Sequence, residues 1–138
     1  MRTVRPLLLA LLLGAAAFAQ NPGYVPDPKW QAPPEAAATP NPLAGKQDVV
    51  AGGQKLYMRN CSECHGDDGQ GTIYKHSADF RLDSVQAQSD GALFWKITNG
   101  NLPKKMPSFS RLPELQRWQL VLYLRTLKPA SAAVPPTP

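Results

Sequence analysis

A short run near the middle of the chain, Cys61-Ser62-Glu63-Cys64-His65, contains residue types whose spacing could attach a large cofactor. Two thiols three positions apart lie on the same face of a helical turn, so both can reach one edge of a porphyrin and react with its two vinyl groups. The imidazole of His65 then offers the iron a nitrogen ligand. This is the Cys-x-x-Cys-His signature of covalent haem attachment. It predicts one haem c, held by Cys61, Cys64 and His65.

Other chemistries can also use a Cys-x-x-Cys pair. A redox-active dithiol is expected beside a strand–helix unit, which this sequence does not indicate, and an exported chain with two cysteines can form one structural disulfide. A zinc site would need further ligands, for which His76 is the candidate. These alternatives stay open, but haem attachment is favoured because His65 directly follows the second cysteine.

A haem iron with six ligands needs a second axial residue, and Met106 is the candidate that we favour. It lies in a proline-stiffened stretch, residues 99–107, well downstream of the cysteines, so it can approach the opposite face of the haem. A thioether ligand favours ferrous iron and raises the potential. Met58 lies on the attachment side. The alternatives are that Met106 only fills a gap in the core, or that His76 is the ligand and the haem is bis-histidine.

Helical periodicity is confined to residues 48–128, which we take as the one folded domain. Three main helices are predicted there, over residues 49–59, from Ser89 or Asp90 to Asn99, and from Pro113 onward. Long loops are predicted over residues 66–88 and 101–112. The fold class is therefore all-α, with the helices and loops wrapped around one covalently bound haem. A large apolar ligand at the centre would complete a core that is otherwise thin.

Particular residues mark the ends of these helices. Ser89 or Asp90 can cap the second helix, and Gly100 provides the left-handed stop beyond its end. Pro113 suits the first turn of the last helix.

The two ends of the chain have a different composition. Residues 1–19 combine two arginines, an apolar run and a small-x-small motif, which predicts a cleaved secretory signal peptide. Residues 20–47 are rich in proline and alanine and predict a flexible, extended arm, with Tyr24 and Trp30 as candidates to dock on the domain. Residues 129–138 predict a similar Pro-rich tail.

Charge and hydropathy argue against nucleic-acid binding and against a membrane-spanning helix in the mature chain. Loss of the signal peptide leaves 13 basic and 10 acidic side chains, so the mature chain is only mildly basic. Basic residues are spread along the sequence, without the dense stripe that nucleic-acid binding needs. The apolar run of the signal is shorter than the about 20 residues of a spanning helix, so no transmembrane span is expected in the mature chain.

Several motifs together resemble the class I monohaem c-type cytochromes of the bacterial periplasm. The stretch from Gly53 through Tyr57 to Gly66 resembles the first helix and haem site of that family, and residues 91–100 resemble the helix before the methionine loop. Met106-Pro107-Ser108-Phe109 resembles the ligand turn. The closing helix is matched by residues 118–124, in which Tyr123 would cross Gly53 and Tyr57. One difference is that residues 73–80 contain no proline, whose carbonyl in the family often accepts a hydrogen bond from the proximal histidine.

The resemblance implies a single-electron carrier rather than an enzyme, with haem c ligated by His65 and Met106 in a respiratory or dehydrogenase-linked chain. It implies redox partner proteins of unknown identity and a periplasmic or secreted location. Docking is predicted near Lys104 and Lys105, which immediately precede Met106. The alternatives are a cytochrome subunit of a larger oxidoreductase and a haem-based sensor or peroxidase-like protein with a labile sixth ligand. The protein is expected to be a monomer or a subunit of a complex.

Overall fold

The structure, a computed structural model, describes residues 24–128. Within this range the chain forms helices and no β-strand, which confirms the all-α prediction. The helices are α1 (Pro34–Ala37), α2 (Val50–Asn60), α3 (Ser62–His65), α4 (Asp83–Gln86), α5 (Asp90–Asn99) and α6 (Glu114–Thr126). Short 3₁₀ turns, Gln47–Val49 and Leu102–Lys104, precede α2 and follow α5. The predicted signal peptide and Pro-rich tail lie outside the described residues.

Helices α2 and α6 cross at the centre of the domain. A Cβ atom on Gly53 would lie 2.2 Å from the carbonyl oxygen of Gln119, so only glycine allows the two backbones to come this close. One turn further on, the rings of Tyr57 and Tyr123 have centroids 5.1 Å apart. The predicted crossing of these helices is therefore confirmed. It fixes the direction in which α2 leads into Cys61.

The boundaries of α5 are those that the sequence indicates. The Ser89 hydroxyl accepts a hydrogen bond from the amide of Ala92 at 3.1 Å, as an N-cap residue does. Gly100 follows the last turn with a φ of 66°, a value that favours glycine. At α6, Pro113 is the N-cap residue and precedes the first turn instead of lying within it.

The loop predicted over residues 66–88 contains one helical turn, α4, which the sequence does not reveal. The side-chain amide of Gln86 donates to the carbonyl oxygens of Phe80 and Leu124, at 2.7 and 2.9 Å. A helix of four residues is too short to produce a periodic pattern. Its position depends on contacts with the preceding loop and with α6, and the contact with α6 is 38 residues away in the sequence.

The arm differs from the extended segment that its composition predicts. Its described part, residues 24–47, packs on the domain, with α1 against α5 and Leu43 buried in the core. The approach is close because Gly91 has no side chain, and a Cβ atom there would lie 2.2 Å from the carbonyl oxygen of Ala36. Burial of Leu43 and the fit of α1 to α5 offset the cost of ordering the backbone. The boundaries of arm and domain remain predictions.

Aromatic side chains from α2, α5 and α6 form much of the small core. Trp118 is 1% exposed and stacks on Phe94, with ring centroids 3.9 Å apart. Cys61, between α2 and α3, and Met106, in the loop after α5, are both half-buried against this core. None of the helices within residues 24–128 is long and apolar enough to cross a membrane.

Candidate functional site

The two cysteines lie on one turn at the junction of α2 and α3. The amide of Cys61 donates to the carbonyl oxygen of Tyr57 at 2.8 Å, and the Cys61 carbonyl accepts from the amides of Cys64 and His65 at 3.1 and 2.9 Å. Gly66 then ends the turn with a φ of 79°. Both cysteines are half-buried, and neither forms a disulfide. The turn therefore has the compact geometry that the three-residue spacing predicts.

The acidity of the first thiol differs from that of a redox-active pair. Burial, and to a lesser degree the neighbouring Cys64, raises the pKa of Cys61 to about 12. A redox-active Cys-x-x-Cys motif instead lowers the pKa of its attacking thiol. This environment argues against the dithiol alternative.

The loop after the cysteines holds the turn in place through hydrogen bonds to its backbone. The hydroxyl groups of Thr72 and Ser77 both donate to the carbonyl oxygen of Cys64, the first at 2.9 Å. From the other side, the Tyr57 hydroxyl donates to the carbonyl oxygen of Gly66 at 2.7 Å. Backbone groups that α3 is too short to pair internally are thereby satisfied. The turn is fixed from both α2 and the following loop.

His65 contacts a backbone carbonyl that the sequence could not identify. Its Nδ1 atom lies 3.1 Å from the carbonyl oxygen of Ala78. Because a carbonyl can only accept, this contact requires the tautomer with the proton on Nδ1, which leaves the lone pair on Nε2 for a metal ion. The Ala78 carbonyl thus occupies the role for which no proline was available in residues 73–80. Second-sphere bonds of this kind orient a histidine ligand and raise its basicity.

The surroundings of His65 keep the imidazole neutral. Burial lowers the pKa of His65, and the hydrogen bond to Ala78 offsets part of this effect. The Phe80 ring stacks on the imidazole, with centroids 4.2 Å apart. Neither Ala78 nor Phe80 was predicted from the sequence to belong to the site.

An ion pair next to Ala78 fixes the loop that carries its carbonyl. Asp79 is 2% exposed, and both of its carboxylate oxygens accept from the Arg81 guanidinium, at 2.9 and 2.8 Å. Burial alone would raise the pKa of Asp79, but the hydrogen bonds and the positive charge of Arg81 outweigh burial and lower it. Such a bidentate pair restrains the backbone on both sides.

Met106 lies in a separate loop after α5, residues 100–109, which we call the Met106 loop. Asn101 and Met106 form an isolated antiparallel bridge. The Asn101 amide donates to the Met106 carbonyl oxygen at 2.9 Å, and the Met106 amide donates to the Asn101 carbonyl oxygen at 3.0 Å. The loop then returns to α5, where the amide of Phe109 donates to the carbonyl oxygen of Ile97 at 3.1 Å. A Cβ atom on Gly100 would lie 2.5 Å from the Pro107 backbone, so the loop closes tightly. The half-buried Met106 side chain is therefore carried by a short, hydrogen-bonded loop.

The other residues singled out in the sequence lie on the surface. Lys104 and Lys105 are exposed, and Lys105 has a left-handed φ of 64°. His76 is exposed at a φ of 50° in the loop after the cysteines. Met58 is 43% exposed on the outer side of α2.

The donor set of the α3 turn fits a covalently attached haem. Two thiols outside any disulfide, three positions apart, and one imidazole directly after the second of them, with its Nε2 lone pair available, share a helical turn. These are the groups that form two thioether bonds and one axial iron bond. Among the described residues, no three His, Cys, Asp or Glu side chains converge as a metal site of these residue types would require. The zinc alternative therefore gains no support from residues 24–128.

Comparisons with known proteins agree with this chemistry. The family model described as cytochrome c oxidase, cbb3-type, subunit III matches residues 48–124, which is more than half of the chain. A solved structure, the KustC0563 c-type cytochrome, is 32% identical, with a TM-score of 0.51 over 55% of this chain and 96% of its own. A comparison with curated proteins gives no match. The chain thus belongs to the family of cytochrome c domains that this model describes, and it is a monohaem c-type cytochrome. It binds haem c covalently and takes part in haem-based electron transfer.

Proposed function

We propose that the protein is a single-electron carrier in which Cys61 and Cys64 attach the haem and His65 and Met106 are its axial ligands. The observation that carries the proposal is the Nδ1 contact of His65 with Ala78, because it leaves Nε2 as the metal-binding nitrogen. When bound, the haem supplies reversible one-electron chemistry at iron. The polypeptide attaches and orients it, excludes water from part of it and presents a surface to partners.

Met106 is a better candidate for the second ligand than His76 or Met58. It is half-buried against the core, as Cys61 is, whereas His76 and Met58 are exposed. Its loop is closed by two backbone hydrogen bonds to Asn101, so the backbone that carries the side chain is already ordered before the ligand binds iron. A preorganised thioether is suited to both redox states because little rearrangement accompanies electron transfer.

The absorbance spectrum and potential of the purified protein test this assignment. We expect the ferric protein to be low-spin with a methionine–iron charge-transfer band and to have a high reduction potential, because a thioether favours ferrous iron. Reversible one-electron cyclic voltammetry gives the potential directly. A high-spin ferric spectrum would instead support a sensor or peroxidase-like protein with a labile sixth ligand. A low-spin spectrum without the methionine band would support bis-histidine ligation.

A permanent subunit of a larger oxidoreductase is a second candidate. The matching family model is described as a subunit of a cbb3-type oxidase, and this favours assembly with other chains. Native-size measurements on protein from its own cell envelope distinguish the two, since a free carrier elutes at the mass of the mature chain.

We also propose export to the periplasm or the exterior, in keeping with the usual location of c-type cytochromes.

Electron transfer to a partner is expected to depend on Lys104 and Lys105. Both are exposed and adjacent to Met106, so an acidic partner that approaches them comes near the haem. Such charges can speed association by ~10-fold or more at low salt, while screening limits their reach to about 10 Å at 0.1 M. We expect the bimolecular rate with the native partner to fall as salt rises, and Lys104→Glu with Lys105→Glu to slow it and flatten its salt dependence.

Stopped-flow kinetics measure this rate, and the haem spectrum should stay unchanged in the variant. Lys46→Glu with Lys55→Glu is the matched control, because it makes the same change in net charge at exposed positions before and on α2. If both double variants slow the reaction equally, only net charge matters and docking at the Met106 loop is wrong. An electron-transfer rate that does not change with salt concentration would indicate a partner that docks through apolar contact.

A further inference from the structure

Two residues of the arm reach across the fold to the Met106 loop. The indole Nε1 of Trp30 donates to the carbonyl oxygen of Gly100 at 3.0 Å, although the two residues are 70 positions apart. The carboxylate of Asp27 accepts from the side-chain amide of Asn101 at 3.2 Å. Gly100 and Asn101 are the first two residues of the loop that carries Met106. The arm therefore holds the loop at its beginning.

The two arm residues are themselves fixed in place. The Trp30 amide donates to the Asp27 carbonyl at 3.1 Å, and the Asp27 carboxylate also accepts from the Lys29 amide at 3.0 Å, so this segment is a closed turn. The ammonium group of Lys96 on α5 lies 4.8 Å from the centre of a Trp30 ring, a cation–π distance. The turn is thus bound to both the helix before the Met106 loop and the loop itself.

The contacts reach Met106 through one further residue. Asn101 is 7% exposed, and its backbone pairs with that of Met106 in both directions, while its side chain is bound by Asp27. A displacement of Asn101 would therefore break the bridge that sets the Met106 backbone. Tight packing of Gly100 against Pro107 leaves the loop little room for another closed arrangement.

From these contacts we infer that Asp27 and Trp30 form a strap over the Met106 loop and act as positioning residues that keep Met106 at the sixth ligand position. The inference rests on the proposed function, since it requires Met106 to be the iron ligand. The strap lowers the frequency with which the loop opens and the thioether leaves. The arm is then part of the electron-transfer machinery and more than a linker.

The test replaces one donor while keeping the arm folded. Trp30→Phe removes the indole N–H but keeps an aromatic ring beside Lys96. The variant is compared with the unmodified protein as the haem-loaded mature chain. The probe is imidazole, which binds ferric haem only after the sixth ligand leaves. At saturating imidazole, the rate of imidazole binding therefore reports how often the loop opens. Loss of one neutral hydrogen bond should raise this rate by about 2- to 10-fold. Exchange of the Asn101 and Met106 amide hydrogens should accelerate by a similar factor.

Two control variants separate the strap from general stability. Val25→Ala changes an arm residue that is 69% exposed, and the rate should remain that of the unmodified protein. Arg125→Gln breaks an ion pair with Asp90, at 2.6 Å, at the opposite end of α5. It should lower the midpoint of chemical unfolding without changing the imidazole rate.

Each outcome bears on one claim. If Trp30→Phe leaves both the imidazole rate and the amide exchange at the level of Val25→Ala, there is no strap. If Arg125→Gln accelerates imidazole binding as much as Trp30→Phe, the effect comes from overall stability and the inference is wrong. Loss of the methionine–iron band in Met106→Ala tests the ligand assignment separately. Persistence of that band would overturn the assignment, whatever Trp30→Phe does.

Discussion

Replacement of Cys61 and Cys64 together by serine is expected to abolish covalent haem attachment completely, because a serine hydroxyl forms no thioether with a vinyl group. Haem staining after denaturing electrophoresis measures this directly. We expect His65→Ala to prevent stable haem retention as well, since the imidazole provides the iron ligand next to the second thioether. Glu63→Gln is the matched control within the same turn, because the Glu63 side chain is 88% exposed and its ion pair with Lys75, at 3.4 Å, lies on the surface.

Loss of the haem is also expected to disturb the fold. The core lies between α2, α5 and α6, while Cys61 and Met106 only border it, so the turn that carries Cys61 and the Met106 loop depend on a further apolar body to pack against. Small domains of this kind have little stability to spare. Circular dichroism of the double-serine variant should show reduced helicity and a broad thermal transition. A helical apoprotein with a sharp cooperative transition would show that the porphyrin is not needed for folding.

The parts of the molecule that could be predicted depend on short-range patterns. Cys61, Cys64 and His65 fall within five residues, so spacing alone determines that they share one turn. The long helices were found because α5 and α6 are long enough to show periodicity and carry local end signals, such as Ser89 and Gly100. Gly53 was identified through family resemblance, and its close contact with Gln119 gives the physical reason.

The parts that were missed depend on backbone atoms or on long-range contacts. The group that orients His65 is the carbonyl of Ala78, and every residue has a carbonyl, so no side-chain pattern marks it. The extent of the arm's packing was missed because its Pro- and Ala-rich composition is that of a linker, although the docking of Trp30 was predicted and is confirmed by its hydrogen bond to Gly100. Its docking instead depends on the absent side chain of Gly91 and on the indole of Trp30 meeting Gly100, which lie far apart in the sequence.

Met106→Ala is expected to leave the haem covalently attached but to remove its thioether ligand. The attachment residues lie at the junction of α2 and α3, and hydrogen bonds to the loop over residues 66–80 hold their turn, so the thioether bonds should form normally. The methionine–iron band should disappear, and the ferric protein should become high-spin or bind an added ligand. The reduction potential should fall by roughly 0.1–0.3 V, within the about 0.8 V span that axial ligands set.

Two further variants make this last prediction specific. Met58→Ala removes the same side chain from an exposed position on α2, and both spectrum and potential should remain unchanged. His76→Ala tests the rival ligand, and it too should leave the methionine band in place. Because α5 and the Asn101–Met106 bridge hold the loop backbone, Met106→Ala should leave the helical circular dichroism and the amide exchange of α5 nearly unaltered. If His76→Ala opens the sixth position and Met106→Ala does not, the iron ligand comes from the loop after the cysteines, and the potential must then be explained by bis-histidine ligation.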